Sequence, residues 1–379
     1  MIKKLSEKEL SKIIERQEKI IKNYESVSFV YSFFRRLPLF DKFVRFSAGI
    51  LKSKKVSGTK VVFSIKNPTA EMIAIVSPEF RGVRAATVEM VPGLVEISEI
   101  FSRKKATELA HQIIKYSPKK VLISGYAKGH DLLIEELKKA NPDLRIFVLI
   151  HSAFIWFDIY PTENIIFEKF INMANKGIIE KIGFCKRDLA EYFGHQGINT
   201  FFVMNRFYPE KHNYKSLNKS NINVGIFGKN MWHRNITNQV IGALSVQHTE
   251  IHVNEISDHF FIDKNRVTVH GIVPRDEFLK LYKKLDINLY ISMTECFPMV
   301  AIESMQYGIP CLVSDTSDVY AFNSKLKSWL TVSTIDSPIG ISKKIKEVIN
   351  NYDEIQDEIK RYLPILQKEV EKSIEDFLQ

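Results

Sequence analysis

The stretch TECFPMVAIESMQYGIPCLVSD, residues 294–315, decides how this chain is read. It follows an apolar β-rich run, Ile287–Ser292, and contains a helix-patterned segment, Met299–Tyr307, and a second β-rich run, Cys311–Val313. Strand, loop, helix, strand is the repeating unit of a parallel α/β sheet. The helix is expected to start near Pro298, a residue suited to the first helical position because the N–H it lacks would have no partner there. The free amides of Met299 and Val300, at the positive end of the helix dipole, then suit a phosphate. Glu295 stands in the loop before that end, where a carboxylate accepts hydrogen bonds from sugar hydroxyls. Glu303, eight residues on and flanked by Val300, Ile302 and Met305, suits the paired hydroxyls that a ribose presents.

The same alternation extends in both directions. Upstream, β-rich runs at Lys60–Ile65, Met72–Ser77, Lys120–Ser124, Arg145–Ile150, Lys181–Phe184 and Thr200–Val203 are separated by helical patterns at Arg103–Tyr116, Asp131–Lys139, Asn164–Lys176 and Lys186–Phe193. After the polar, proline-containing stretch YPEKHNYKSLNKSN the pattern restarts, with strands at Asn223–Phe227, Glu250–Val253 and Val267–His270 and helices at Ile236–Leu244, Arg275–Lys284 and Ser342–Asn350. The expected fold is α/β, with two Rossmann-like doubly wound domains facing across a cleft. Residues 60–207 form the first, 208–222 a linker, 223–350 the second and 351–379 a terminal helix that Pro364 should kink or split.

Residues 1–59 differ in texture and read as a helical basic arm. The first 60 residues hold 15 Lys and Arg against 6 Asp and Glu, so most of the net charge of +10 lies there and the remainder is nearly neutral. Leu10, Ile13, Ile14, Ile20, Ile21 and Tyr24 share a helical face. Over residues 27–55, Phe29, Phe33, Phe34, Phe40, Phe43 and Phe46 interleave with seven cations. Two readings stay open: the phenylalanines pack the arm onto the first domain, or the segment lies on an anionic membrane surface. Charge confined to the arm argues against nucleic acid as a partner. Neither a spanning segment nor a secretory leader is evident, so a cytoplasmic location is expected, peripheral at the inner face of the membrane if the arm binds lipid. Cys185, Cys296 and Cys311 are scattered, without disulfide or zinc spacing.

On these residues the chain resembles retaining glycosyltransferases of the GT-B fold, in particular family 4 (group 1), whose run is typically E-x-F-[GP]-x-x-x-x-E-[AS]-M-x-x-G-x-P. Glu295, Phe297, Pro298, Glu303, Ser304, Met305, Gly308 and Pro310 fall in register. The resemblance implies a donor-sugar contact at Glu295, a ribose contact at Glu303 and phosphates held by the amides between them. A second element, VGIFGKNMWHRN, places Gly228 and Lys229 after a strand and Arg234 five residues on, where the family has an Arg and a Lys that clamp the diphosphate; the two cation types are exchanged here, and Asn235 replaces a glycine. His151, ending the strand Arg145–Ile150, matches a histidine that approaches the reacting sugar, and Asn205 an asparagine near the interdomain connection.

The chain departs from the family elsewhere. SPEFRGVRAATVEMVP, residues 77–92, replaces the glycine-rich turn of the first domain, leaving Arg81 and Arg84 either as anion contacts or as surface charges. DTSDV at Asp315–Val319 replaces a glycine pair. No dinucleotide fingerprint, P-loop or D-x-D triplet occurs, which disfavours an oxidoreductase and an obligate metal. The expected activity is transfer of a sugar from a nucleotide-sugar donor to a glycan or lipid-linked acceptor, with no cofactor. The alternative is a catalytically silent partner subunit of the same fold.

Overall fold

The computed structural model describes residues 61–65, 71–91, 93–159, 161–208 and 216–379. The chain divides into two compact units, Met1–Gly58 and Thr59–Gln379. The arm, with its helical face and its six phenylalanines, lies outside the described residues, as does much of the expected linker.

The second unit is built on two sheets. The first contains β1 (Val61–Ile65), β2 (Met72–Val76), β3 (Gly93–Ile97), β4 (Lys120–Ser124), β5 (Arg145–Ile150), β6 (Lys181–Phe184) and β7 (Thr200–Phe202), in the order β1-β3-β2-β4-β5-β6-β7. Its pairings are parallel except at the edge, where β1 runs antiparallel to β3. The second contains β8 (Ile222–Ile226), β9 (Thr249–Val253), β10 (Val267–Val269), β11 (Ile287–Tyr290), β12 (Cys311–Ser314) and β13 (Thr331–Val332), all parallel, in the order β10-β9-β8-β11-β12-β13. Strand order reverses between β8 and β11, and at such a switch point the loops leaving the two strands diverge and open a crevice. The loops carrying Lys229, Arg234 and Glu295 are those two.

Alternation along the strands explains the first sheet. Ile73, Ile75, Val121, Ile123, Ile146 and Val148 face one core, shared with α2 (Arg103–Ile114), α3 (His130–Ala140) and α5 (Pro161–Asn175). The residues between them, Ala74, Val76, Leu122, Phe147 and Leu149, face another core that is continuous with the second sheet. Both faces are buried, as a parallel sheet requires.

Several elements carry no sequence expectation, among them the two that follow β2. The stretch replacing the family's glycine-rich turn forms α1 (Arg81–Met90), which buries Ala86, Thr87 and Met90, and leads into β3. No side chain caps this helix, so the usual start signal is missing. Arg84 pairs with Glu96 on β3, while Arg81 is exposed.

The terminal helix α12 (Tyr352–Leu378) continues through Pro364 as one element rather than splitting there. It leaves the second sheet and ends on the first. Phe377 is fully buried, edge-on to Phe147 with ring centroids 5.7 Å apart. A Cβ at Gly183 on β6 would lie 3.0 Å from the Phe377 ring and 2.9 Å from Leu149 and Val203, so glycine there lets the helix approach. Ser373 Oγ accepts from the Met204 amide at 3.2 Å, and Lys181 Nζ donates to the Asp376 carbonyl at 3.0 Å. Among the described residues no helix is long and apolar enough to cross a membrane.

Replacing Phe377 by Ala empties this contact without touching the cleft, and is expected to cost about 3–5 kcal/mol of stability. A lowered urea midpoint checks this; an unchanged midpoint would mean that α12 adds nothing to the first core.

Candidate functional site

The loop after β8 begins at Gly228, where a Cβ would meet only the Ile236 side chain, at 3.8 Å, leaving open space in front of the strand. Lys229 follows, exposed and without a side-chain hydrogen bond or ion pair among the described residues. A short 3-10 turn, Trp232–Arg234, then delivers Arg234, and Asn235 stops it in the left-handed region at φ 56°. That conformation favours glycine and tolerates asparagine, which explains why Asn235 can replace a glycine. Its amide also bonds to the Ile291 carbonyl at 3.2 Å and the Ile335 carbonyl at 2.5 Å. Gln239, on α7 (Ile236–Leu244), donates to the Arg234 carbonyl at 2.8 Å and accepts from the Ile291 amide at 2.9 Å, tying this loop to the end of β11.

Arg234 and Glu295 meet directly. Arg234 Nη1 donates to Glu295 Oε2 and, at 2.6 Å, to the hydroxyl of Tyr290, whose ring lies 5.2 Å from the guanidinium. Ser292 Oγ donates to the same carboxylate at 3.1 Å, and the Cys296 backbone N–H donates to it at 3.3 Å. The two side chains are 20% and 14% exposed, so the pair is largely withdrawn from water yet open at one side.

Pro298 occupies the N-cap of α9 (Met299–Gln306), one position before the first helical residue, a correction to its expected place. Met299 and Val300 are then the first two helical positions, half-buried, and their amides have no partner within the helix. Phe297 is buried, and its carbonyl accepts at 2.8 Å from Nδ2 of Asn205, three residues beyond β7. Glu303 lies in the helix, 6% exposed.

His151 ends β5 as expected. Its Nε2 is 2.9 Å from Ser124 Oγ, which in turn bonds Thr87 Oγ1, and its Nδ1 is 3.5 Å from Cys185 Sγ. Burial lowers its pKa to about 4, so the ring is neutral near pH 7. Cys296 is buried and its thiol is pushed up by desolvation, which fits packing rather than nucleophilic chemistry.

Three further residues belong to this region without a sequence signal. Lys186, two residues beyond β6, sends its ammonium across the cleft to the carbonyls of Glu295 at 3.1 Å and Thr316 at 2.9 Å. Arg187 beside it reaches Asp318 at 3.6 Å. The DTSDV loop is therefore occupied in holding the first domain. His233 is 1% exposed, lies edge-on to Trp156 at 5.2 Å, and neither ring nitrogen has a hydrogen-bond partner among the described residues.

Residues 214–363 match the family model described as glycosyl transferases group 1; by that domain the chain is a glycosyltransferase. No curated protein matches it in sequence. Among solved structures it is similar to the E. coli trehalose-6-phosphate protein bound with UDP-2-fluoro glucose (TM-score 0.55, 11% identity, 80% of this chain and 98% of that one). It is also similar to Anabaena HepE in complex with UDP-glucose (TM-score 0.55, 11% identity, 80% and 99%). A sucrose-phosphate synthase from Thermosynechococcus elongatus gives a TM-score of 0.51 at 13% identity, covering 78% and 94%. These likenesses establish the GT-B fold, with its two Rossmann-like domains.

Removing one partner of the Arg234–Glu295 pair leaves an uncompensated charge. Arg234→Met should lower stability by about 3 kcal/mol, and adding Glu295→Gln should recover most of that loss. A double-mutant cycle in urea reads the coupling; simple additivity would deny the pair.

His151 gives a pH signature. Its folded pKa lies below the ordinary value near 6.5, so its contribution to stability is full above that value and lost as pH falls toward about 4. Comparing melting temperatures at pH 7 and pH 5, His151→Gln should show a smaller acid-side loss than the wild-type chain.

Proposed function

We propose that this chain is a retaining glycosyltransferase that moves a sugar from a nucleoside-diphosphate sugar to a hydroxyl of a glycan or lipid-linked acceptor, in the synthesis of cell-surface polysaccharide or glycoconjugate. The observation that carries the reading is the Arg234–Glu295 pair at the strand-order reversal, with Lys229 exposed on the loop that brings Arg234. Two cations and an orienting acid thus stand on the two loops that leave β8 and β11.

In this reading the donor diphosphate lies against Lys229, Arg234 and the amides of Met299 and Val300. Arg234 uses Nη1 within the protein, and its remaining donors are left for phosphate oxygens. Glu303 binds the ribose, Glu295 orients the sugar ring, and His151 lines the acceptor side. The bond from the anomeric carbon to the diphosphate oxygen breaks, and the leaving oxygen keeps the electron pair. The acceptor oxygen bonds to the same face of that carbon and its proton passes to the leaving phosphate. Charge grows on the diphosphate during this step, and fixed cations and amides stabilise it more in the transition state than before. Side chains supply the positive charge, with no obligate metal. The basic, phenylalanine-rich segment 27–55 holds the enzyme at an anionic leaflet on the cytoplasmic side.

A thermal-shift panel of UDP, GDP and ADP tests the donor site. One nucleotide at a hundred times its dissociation constant should stabilise by about 2.7 kcal/mol. Glu303→Ala should abolish that response. Glu295→Gln should keep it while lowering turnover roughly 100-fold or more. No response to any of the three would sink the reading and favour a silent relative.

A further inference from the structure

A cavity of about 630 Å³ opens on the first-sheet side of the cleft. Phe154, Ile155 and Phe157 line it from α4 (Ile155–Ile159) and the residues before it, and Leu189 lines it from α6 (Arg187–His195). The aromatic wall is held from behind. Phe154 and Phe157 stack at 4.6 Å, and Phe154 packs against Phe167 at 5.2 Å and Phe193 at 5.7 Å. Its size is that of a small-molecule site.

The cavity adjoins the donor loop. Thr294, next to Glu295, is part of the lining, and so is Lys186, whose ammonium is bonded to the Glu295 carbonyl. An ammonium has three donors. Lys186 gives two to carbonyls, of Glu295 and Thr316, and the third is left for a ligand. An acceptor that relied on a phosphate of its own would meet phenylalanines and Asp158 here, and a lysine already committed to two carbonyls. The lining instead suits an apolar body with a hydroxyl-bearing end.

We propose that this cavity seats the acceptor, and that the acceptor is an amphiphile. Its apolar group, hydrocarbon or aromatic, lies on Phe154, Ile155, Phe157 and Leu189, and its reacting hydroxyl lies toward Thr294 and Lys186, beside Glu295. The inference rests on the glycosyltransferase reading and adds the chemical class of the acceptor.

The test measures binding of methyl, butyl, hexyl and phenyl β-D-glucosides to the full chain by NMR, with the stabilising nucleotide present. Affinity should rise with alkyl length, by up to about fourfold per methylene, the factor that corresponds to about 0.8 kcal/mol for burying one. Comparison of the hexyl and phenyl compounds distinguishes a hydrocarbon from an aromatic occupant. Leu189→Gln and Phe157→Ser should each flatten the series, while the nucleotide response reports that the variants are folded. A series that is flat in the wild-type chain, or that survives both substitutions, overturns the acceptor assignment alone if the nucleotide response is intact. Absence of that response in the wild-type chain overturns the underlying reading, and the acceptor assignment with it.

Discussion

The ion pair between Arg234 and Glu295 is the constraint around which the second domain is arranged. Either charge held out of water without a partner costs several kcal/mol. Their strands, β8 and β11, are neighbours at the reversal of strand order, so one short loop from each brings guanidinium and carboxylate together. The surrounding residues serve that meeting. Tyr290 and Ser292 complete the hydrogen bonding, Asn235 turns the chain in a left-handed conformation, and Gln239 stitches the arginine loop to the end of β11. The pair joins two groups whose types alone suggest contact with opposite parts of a ligand. It holds both in place before a donor arrives, so that little side-chain ordering remains for binding.

Much of this was legible in the order of residues because it depends on local pattern. The runs around Ile73, Val121, Ile146, Val224 and Leu289 are continuous and apolar, as strands buried on both faces must be, and the acids and cations stand at the ends of such runs. Other features depend on residues far apart in the chain, and no local pattern carries them. Helix α1 lacks a capping side chain and mixes arginines with β-branched residues, so neither its start nor its face announces itself. The Arg234–Glu295 pair spans 61 residues and the bond from Lys186 to Glu295 spans 109, and spacing of that size says nothing about contact. Pro364 is a helix breaker by its chemistry, yet buried neighbours such as Leu363 and Leu366 hold the helix together around it.

Beside the apolar core they share, the two domains are joined by polar contacts at the strand ends. Lys186 holds two carbonyls, Arg187 reaches Asp318, and Asn205 holds the Phe297 carbonyl. Each partner on the second domain lies on a loop of the candidate donor site. A loss of contact between the domains would therefore release the Glu295, Phe297 and Thr316 backbones together, which links closure of the cleft to the shape of the donor site.

The path of α12 bears on the order in which the molecule is made. The first sheet is synthesised early, but the helix that covers part of one of its faces includes residues 370–377, which follow the whole second domain in the chain. Until those residues emerge from the ribosome, Leu149, Phe147 and Val203 lack part of their cover, and the nascent first domain presents an apolar face to the cell. Such exposed surface is where nascent chains aggregate or recruit chaperones. The first sheet is thus completed only after the second domain has been made, with α12 as the element that closes its face.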